Sequence, residues 1–70
     1  MNYFNEGNKF YNIKDYQRAI DCYKKSASQN LNEACSYYNC GVCFIKLKNF
    51  DAAITMLNKA KGKRNFLYLA

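Results

Sequence analysis

Shifted by 34 residues, the sequence lies on itself without a gap. Tyr3 falls on Tyr37, Gly7 on Gly41, Phe10 on Phe44 and Ile13 on Leu47. Further on, Asp15 falls on Asn49, Tyr16 on Phe50, Ala19 on Ala53, Ile20 on Ile54 and Ser26 on Ala60. Self-similarity at a period of this length marks a stack of supersecondary units, each too small to bury its own apolar face. With 70 residues in all, two such units account for nearly the whole chain. We read a single module over 1–70, with repeat one at 1–33, repeat two at 34–67 and the start of a further helix at 65–70.

Each unit reads as two helices. Tyr3, Gly7, Phe10 and Tyr11 recur at helical spacing, and Asp15 is placed to cap a second helix whose stripe is Tyr16, Ala19, Ile20, Tyr23 and Ala27. In the second unit Asn32 is placed to cap a helix running to about Leu47. Asn49 would cap the next, with Phe50, Ala53, Ile54, Leu57 and Ala60 on one face. The absence of Pro leaves the interiors unbroken. Gly62 is read as a C-terminal stop, Lys61-Gly62-Lys63-Arg64 as loop, and Lys59 and Lys61 as cations near the negative end of a helix dipole. Gly7 and Gly41 sit in helix interiors, where Gly costs about 1 kcal/mol against Ala. Their shared register predicts a close helix contact, with Ala19 and Ala53 as facing small residues and Tyr16 and Phe50 filling the wedge inside each unit.

Composition excludes several chemistries. There is no His, so no Ser-His or Cys-His nucleophilic pair and no His metal ligand is available. The five acids, Glu6, Asp15, Asp21, Glu33 and Asp51, are scattered. A non-enzymatic chain without a cofactor is expected. No stretch approaches ~20 apolar residues, so no membrane span is expected. Met1-Asn2-Tyr3-Phe4-Asn5-Glu6 lacks the basic-then-apolar pattern of a secretory signal.

The spacing Tyr3-x2-Glu6-Gly7-x2-Phe10 followed by Ala19-x3-Tyr23, and again Tyr37-x2-Cys40-Gly41-x2-Phe44 followed by Ala53-x3-Leu57, resembles the tetratricopeptide repeat. Glu6 stands where that family usually has Leu, and Leu31 and Asn65 stand where it closes with Pro. The resemblance implies an all-α fold: two tandem helix-turn-helix units in a short right-handed α-solenoid, with a partial C-terminal helix. It also implies a scaffold that binds a protein partner, as a peptide or helix, in a concave groove lined by the first helix of each unit. Carried over residue by residue, that groove presents Phe4, Asn5, Asn8, Tyr11 and Asn12 from repeat one. Repeat two adds Tyr38, Asn39, Val42, Ile45 and Lys46. The chemistry suits a peptide. Asn amides pair with both backbone N–H and C=O, and Tyr gives flat apolar area with a polar tip.

Co-chaperone members of the family clamp a partner's C-terminal carboxylates with Lys, Asn and Arg. Asn8 and Asn39 match two of the asparagines, but Phe4 stands at a Lys position and Leu69 near the next basic one. Carboxylate capture through charge-assisted bonds is therefore not expected. Asn5-Glu6-Gly7, Lys14-Asp15-Tyr16 and Leu47-Lys48-Asn49 also resemble the tetratricopeptide domain of NADPH oxidase cytosolic activators. Those matches are general to the repeat and transfer no function.

Two other readings stand beside the groove. Eleven Lys and Arg against five acids give a net charge of +6, which suits nucleic acid. Lys59, Lys61, Lys63 and Arg64 are the densest cluster, with Lys46 and Lys48 near the preceding loop. No nucleic-acid motif accompanies them, so nucleic-acid binding is the alternative rather than the leading function. Cys40-x-x-Cys43, with Cys35 nearby, has the form of a thiol or metal site. It lies inside a helix, however, and Cys40 takes a core position, so the four cysteines read as core or free thiols in a reducing cytoplasm. A two-unit stack has apolar ends, and Phe66, Leu67, Tyr68 and Leu69 add an apolar tail. Packing of that tail on repeat two, or self-association through the ends, is expected.

Overall fold

Two sequence devices start and stop the helices. The computed structural model describes residues 2–30 and 32–69, with side chains described as far as residue 62. Helix α1 (Tyr3–Asn12) begins where the Asn5 N–H donates to Asn2 Oδ1 at 3.1 Å. Helix α2 (Tyr16–Ser28) begins where the Arg18 N–H donates to Asp15 Oδ1 at 3.3 Å. After helix α3 (Glu33–Lys46), helix α4 (Phe50–Leu69) is capped by Asn49, whose Oδ1 accepts from the Ala52 N–H at 3.4 Å.

The turns within the two units are copies of each other. In the first, the Lys14 N–H donates to the Tyr11 carbonyl and the Asp15 N–H to the Phe10 carbonyl, both at 2.9 Å. In the second, Lys48 bonds Ile45 at 2.9 Å and Asn49 bonds Phe44 at 2.8 Å. This is the Schellman pattern of paired bonds that satisfies the last carbonyls of a helix. Lys14 (φ 64°) and Lys48 (φ 63°) hold the left-handed position that usually goes to Gly. The residue that ends one helix, Asp15 or Asn49, thereby also caps the next.

Each helix packs on its neighbour in sequence, α1 on α2, α2 on α3 and α3 on α4. The protein is all-α, two tandem helix-turn-helix units in a short solenoid. Its core is Ala19, Ile20, Tyr23, Cys40 and Cys43, with Phe4, Phe10, Tyr11, Tyr16, Phe44 and Met56 packed around it. Tyr16 meets Tyr11 edge-on, ring centroids 5.5 Å apart, which is the wedge expected inside unit one.

Several expectations need correction. Gly62 does not stop the last helix, and Lys61–Arg64 is not loop, because α4 runs unbroken to Leu69. Gly inside a helix costs only about 1 kcal/mol, no glycine here has positive φ, and no Pro forces a break. Lys59 and Lys61 therefore lie mid-helix, and Lys59 Nζ sits 5.5 Å from the Tyr37 ring centroid. Asn32 holds the cap position of α3 but makes no side-chain cap bond. Its φ of 52° is left-handed, whereas a capping side chain needs an extended backbone to reach the first amides. Gly7 faces the Tyr23 ring rather than Ala19: a Cβ there would lie 2.6 Å from Cε1. Gly41 faces Leu57 in the same way, with the Ala53 carbonyl oxygen at 3.3 Å. Phe50 and Ile54 were expected in an apolar interface, yet they are 58% and 57% exposed. No described helix covers that side of α4. Leu31, at the closing turn of unit one, lies outside the described residues, as do the side chains of Phe66, Leu67, Tyr68 and Leu69.

Candidate partner-binding groove

Helices α1 and α3, the first of each unit, lie side by side across the α2 packing and leave a cleft of about 360 Å³ between them. Asn8 and Tyr11 line it from α1, Tyr38, Asn39 and Val42 from α3, and Tyr23 from α2 forms its floor. Tyr23 is buried to 1% exposure. Its hydroxyl donates to Asn8 Oδ1, and the Asn39 side chain hydrogen-bonds the same phenol. Burial pushes this phenol up to about 12 against an ordinary 10, with Cys43 nearby adding to the effect and the Asn39 bond opposing it. The hydroxyl is thus a fixed neutral anchor between two amides. A buried Tyr needs such a partner, and here the partners are the amides that the groove presents.

Five of the residues expected in the groove line this cleft: Asn8, Tyr11, Tyr38, Asn39 and Val42. The other five do not. Phe4 turns to the core, its ring centroid 5.7 Å from that of Tyr23. Asn5, Asn12, Ile45 and Lys46 are exposed outside the lining. Tyr23 was read as core from its helical stripe. What hid its second role is that a phenol long enough to cross the core carries its hydroxyl out the far side.

None of the lining side chains is charged. Three cations of α2 rest instead on rings of the neighbouring helices: Arg18 lies 5.9 Å from the Phe10 ring centroid, Lys24 5.7 Å from that of Phe44 and Lys25 5.3 Å from that of Tyr3. Cys40 and Cys43 are fully buried. Burial first, and for Cys40 the neighbouring Cys43 next, pushes their thiols up to about 12 and about 11. Cys35 is exposed on a different part of α3. Among the described residues no group of three or more Cys, Asp or Glu is placed to hold a metal ion, and no helix is long and apolar enough to cross a membrane.

The family model of the tetratricopeptide repeat matches residues 34–62, the span of α3 and most of α4. Residues 34–62 are a tetratricopeptide repeat. Two curated relatives match more of the chain than that. One is the Hsp70-Hsp90 organising protein of Plasmodium falciparum, 32% identical over 62 residues, covering 87% of this chain and 11% of the relative. The other is the unc-45 homolog B protein of Xenopus laevis, 34% identical over 58 residues, covering 79% of this chain and 6% of the relative. The chain thus spans about a tenth or less of the length of these relatives. No solved structure matches it. Tetratricopeptide repeats are generally interaction repeats rather than catalytic ones, and one of the matched relatives is an organising protein by name.

Proposed function

We propose that the chain is a non-catalytic scaffold module that binds a protein partner through the α1–α3 cleft, and that the bound element is an uncharged extended segment or helix. The observation that carries this reading is the lining itself. It holds two amides and three phenols around one Val, with no charged side chain. Amides on both walls offer donors and acceptors to a peptide backbone, and the phenols offer flat apolar area at low entropy cost. A cleft of about 360 Å³ has room for one apolar or aromatic side chain of the partner to anchor in it.

The relative named for Hsp70 and Hsp90 raises a second possibility, that of a carboxylate-ended chaperone tail. Asn8 and Asn39 suit it. The Phe4 ring packed on Tyr23 does not, because it supplies no cation where carboxylate recognition needs one. A basic nucleic-acid surface is also disfavoured. The cations above are spread over four separate rings rather than gathered along a groove. Four free cysteines, two of them core residues, suit a reducing compartment such as the cytoplasm.

The test is selection of binders from a random peptide library displayed on phage, followed by affinity measurement with Tyr38→Ala and Asn39→Ala chains. Both substitutions lie on the cleft wall and should lower affinity about tenfold or more, as for contact residues at a small interface, with helicity unchanged. Affinity should hardly change between low and moderate salt. Selection of peptides that need a free C-terminal carboxylate would favour the chaperone-tail reading, and loss of binding with salt would favour a charged partner.

A further inference from the structure

The two ends of the stack are not alike, and the difference is written in the repeat register. In the middle of the molecule α3 covers the outer face of α2. Ile20 is 1% exposed there, and the Cys40 thiol donates to its carbonyl at 3.7 Å. Thirty-four residues on, Ile54 holds the place of Ile20 on α4 and is 57% exposed, and Phe50, in the place of Tyr16, is 58% exposed. At the other end the corresponding surface is finished. Helix α3 contributes Ser36, Cys40 and Cys43 to the buried layer, all fully buried. The cap residue Asn2 and, within helix α1, Glu6 and Lys9 hold the same three positions, and Lys9 Nζ pairs with Glu6 Oε2 at 3.3 Å. This explains the Glu that departs from the repeat pattern: it lies on an outer face. Stacking the α1 face of one copy on the α4 face of another would bury that ion pair against Phe50 and Ile54, which costs more than it returns. Growth of copies head to tail is thereby blocked.

We propose that two copies of this chain associate across a two-fold axis through the outer faces of α4, packed antiparallel. The pattern on that face is self-complementary. Asp51, Ile54, Asn58 and Lys61 are all exposed and fall at i, i+3, i+7 and i+10, one stripe of a helix. The stripe is balanced about Met56. In an antiparallel pair centred there, Asp51 stands level with Lys61 of the partner subunit and Ile54 with Asn58 of the partner subunit. Each two-fold contact occurs twice, as an isologous interface requires. Phe50 stands level with Gly62 of the partner subunit, where there is open space and no side chain to obstruct the ring. A charge pair that must cross the axis fixes the antiparallel direction, since parallel helices would set Asp51 against Asp51 and Lys61 against Lys61. None of these residues lines the cleft, and the proposal stands apart from the groove reading.

The experiment is sedimentation equilibrium of the 70-residue chain under reducing conditions, which excludes disulfide links through exposed Cys35. The wild-type chain should reach a dimer and no higher species in the high-micromolar range. Asp51→Lys and Lys61→Asp alone should each weaken the dimer about tenfold, and the double reversal should restore it. Ile54→Glu should abolish it with the circular dichroism spectrum unchanged, because Ile54 is exposed in the single chain. A chain that stays monomeric throughout that range, assembles into open-ended species, or dimerises equally well with Ile54→Glu overturns the proposal. So does a double reversal that is no better than either single one.

Discussion

At the scale of single residues, three glycines in helices do opposite things. Gly7 and Gly41 exist because a ring and a Leu side chain occupy the space where a Cβ would be, at 2.6 and 2.7 Å. Gly62 has nothing within 4 Å. Gly7→Ala should therefore destabilise the chain by about 1–3 kcal/mol through overpacking, while Gly62→Ala should stabilise it by up to about 1 kcal/mol through helix propensity. Urea unfolding of the two variants checks the opposite signs. The recurrence of Gly7 at Gly41 was enough to predict a close contact. It did not say that the Tyr23 ring makes it rather than Ala19, or that Leu57 joins Ala53 at Gly41, because the choice depends on how the helix axes cross, which a stripe of apolar residues does not encode. The buried thiols and phenol give a second prediction. Cys40 and Cys43 are raised from 9.0 to about 12 and about 11, and Tyr23 from 10.0 to about 12. Below pH 9 these groups are protonated in both states and their contribution is intact. Above it the unfolded chain releases protons that the folded chain keeps, so stability falls as pH rises from 9 towards 12. Denaturant midpoints measured at about pH 7, 9 and 10 should decline in that order.

At the scale of elements, the turns and the exposed helix face carry the argument. Lys14 and Lys48 hold left-handed backbone at a place where a side chain costs about 1–2 kcal/mol. Lys14→Gly should relieve about 1 kcal/mol of that in a thermal melt, less the entropy that Gly adds to the unfolded chain. The helix starts at Asp15 and Asn49 were legible from residue type and register. The helix end at Gly62 was not, because Gly ends a helix only where the backbone turns left-handed, and nothing beside Gly62 makes it do so. The equivalence of Ile20 and Ile54 was legible too, but their burial was not: burial belongs to the neighbour that covers a helix rather than to the helix. Ile20→Ala should cost about 2–5 kcal/mol and Ile54→Ala within about 0.5 kcal/mol. Both values refer to urea melts at low micromolar concentration, where no second copy contributes.

At the scale of the whole molecule, two repeats make one concave wall, one closed end and one open face. The concave wall was foreshadowed by position within the repeat, which brought Asn8, Tyr11, Tyr38, Asn39 and Val42 to the cleft. Position alone also named Phe4, which left the groove for the core because an aromatic ring gains more against Tyr23 than in water. Tyr23 joined the cleft from the other side, through a hydroxyl that had to find the Asn8 amide once its ring was buried. The central claim is that this wall, and no other surface, receives the partner. It is tested most directly by two-dimensional amide NMR of the labelled chain titrated with a library-selected peptide. The account predicts that the largest shifts fall on Asn8, Tyr11, Tyr38, Asn39 and Val42, including the side-chain amides of Asn8 and Asn39. Shifts gathered instead on Lys24, Lys25 and Lys59 along the outer helices, or on Phe50 and Ile54, would contradict it.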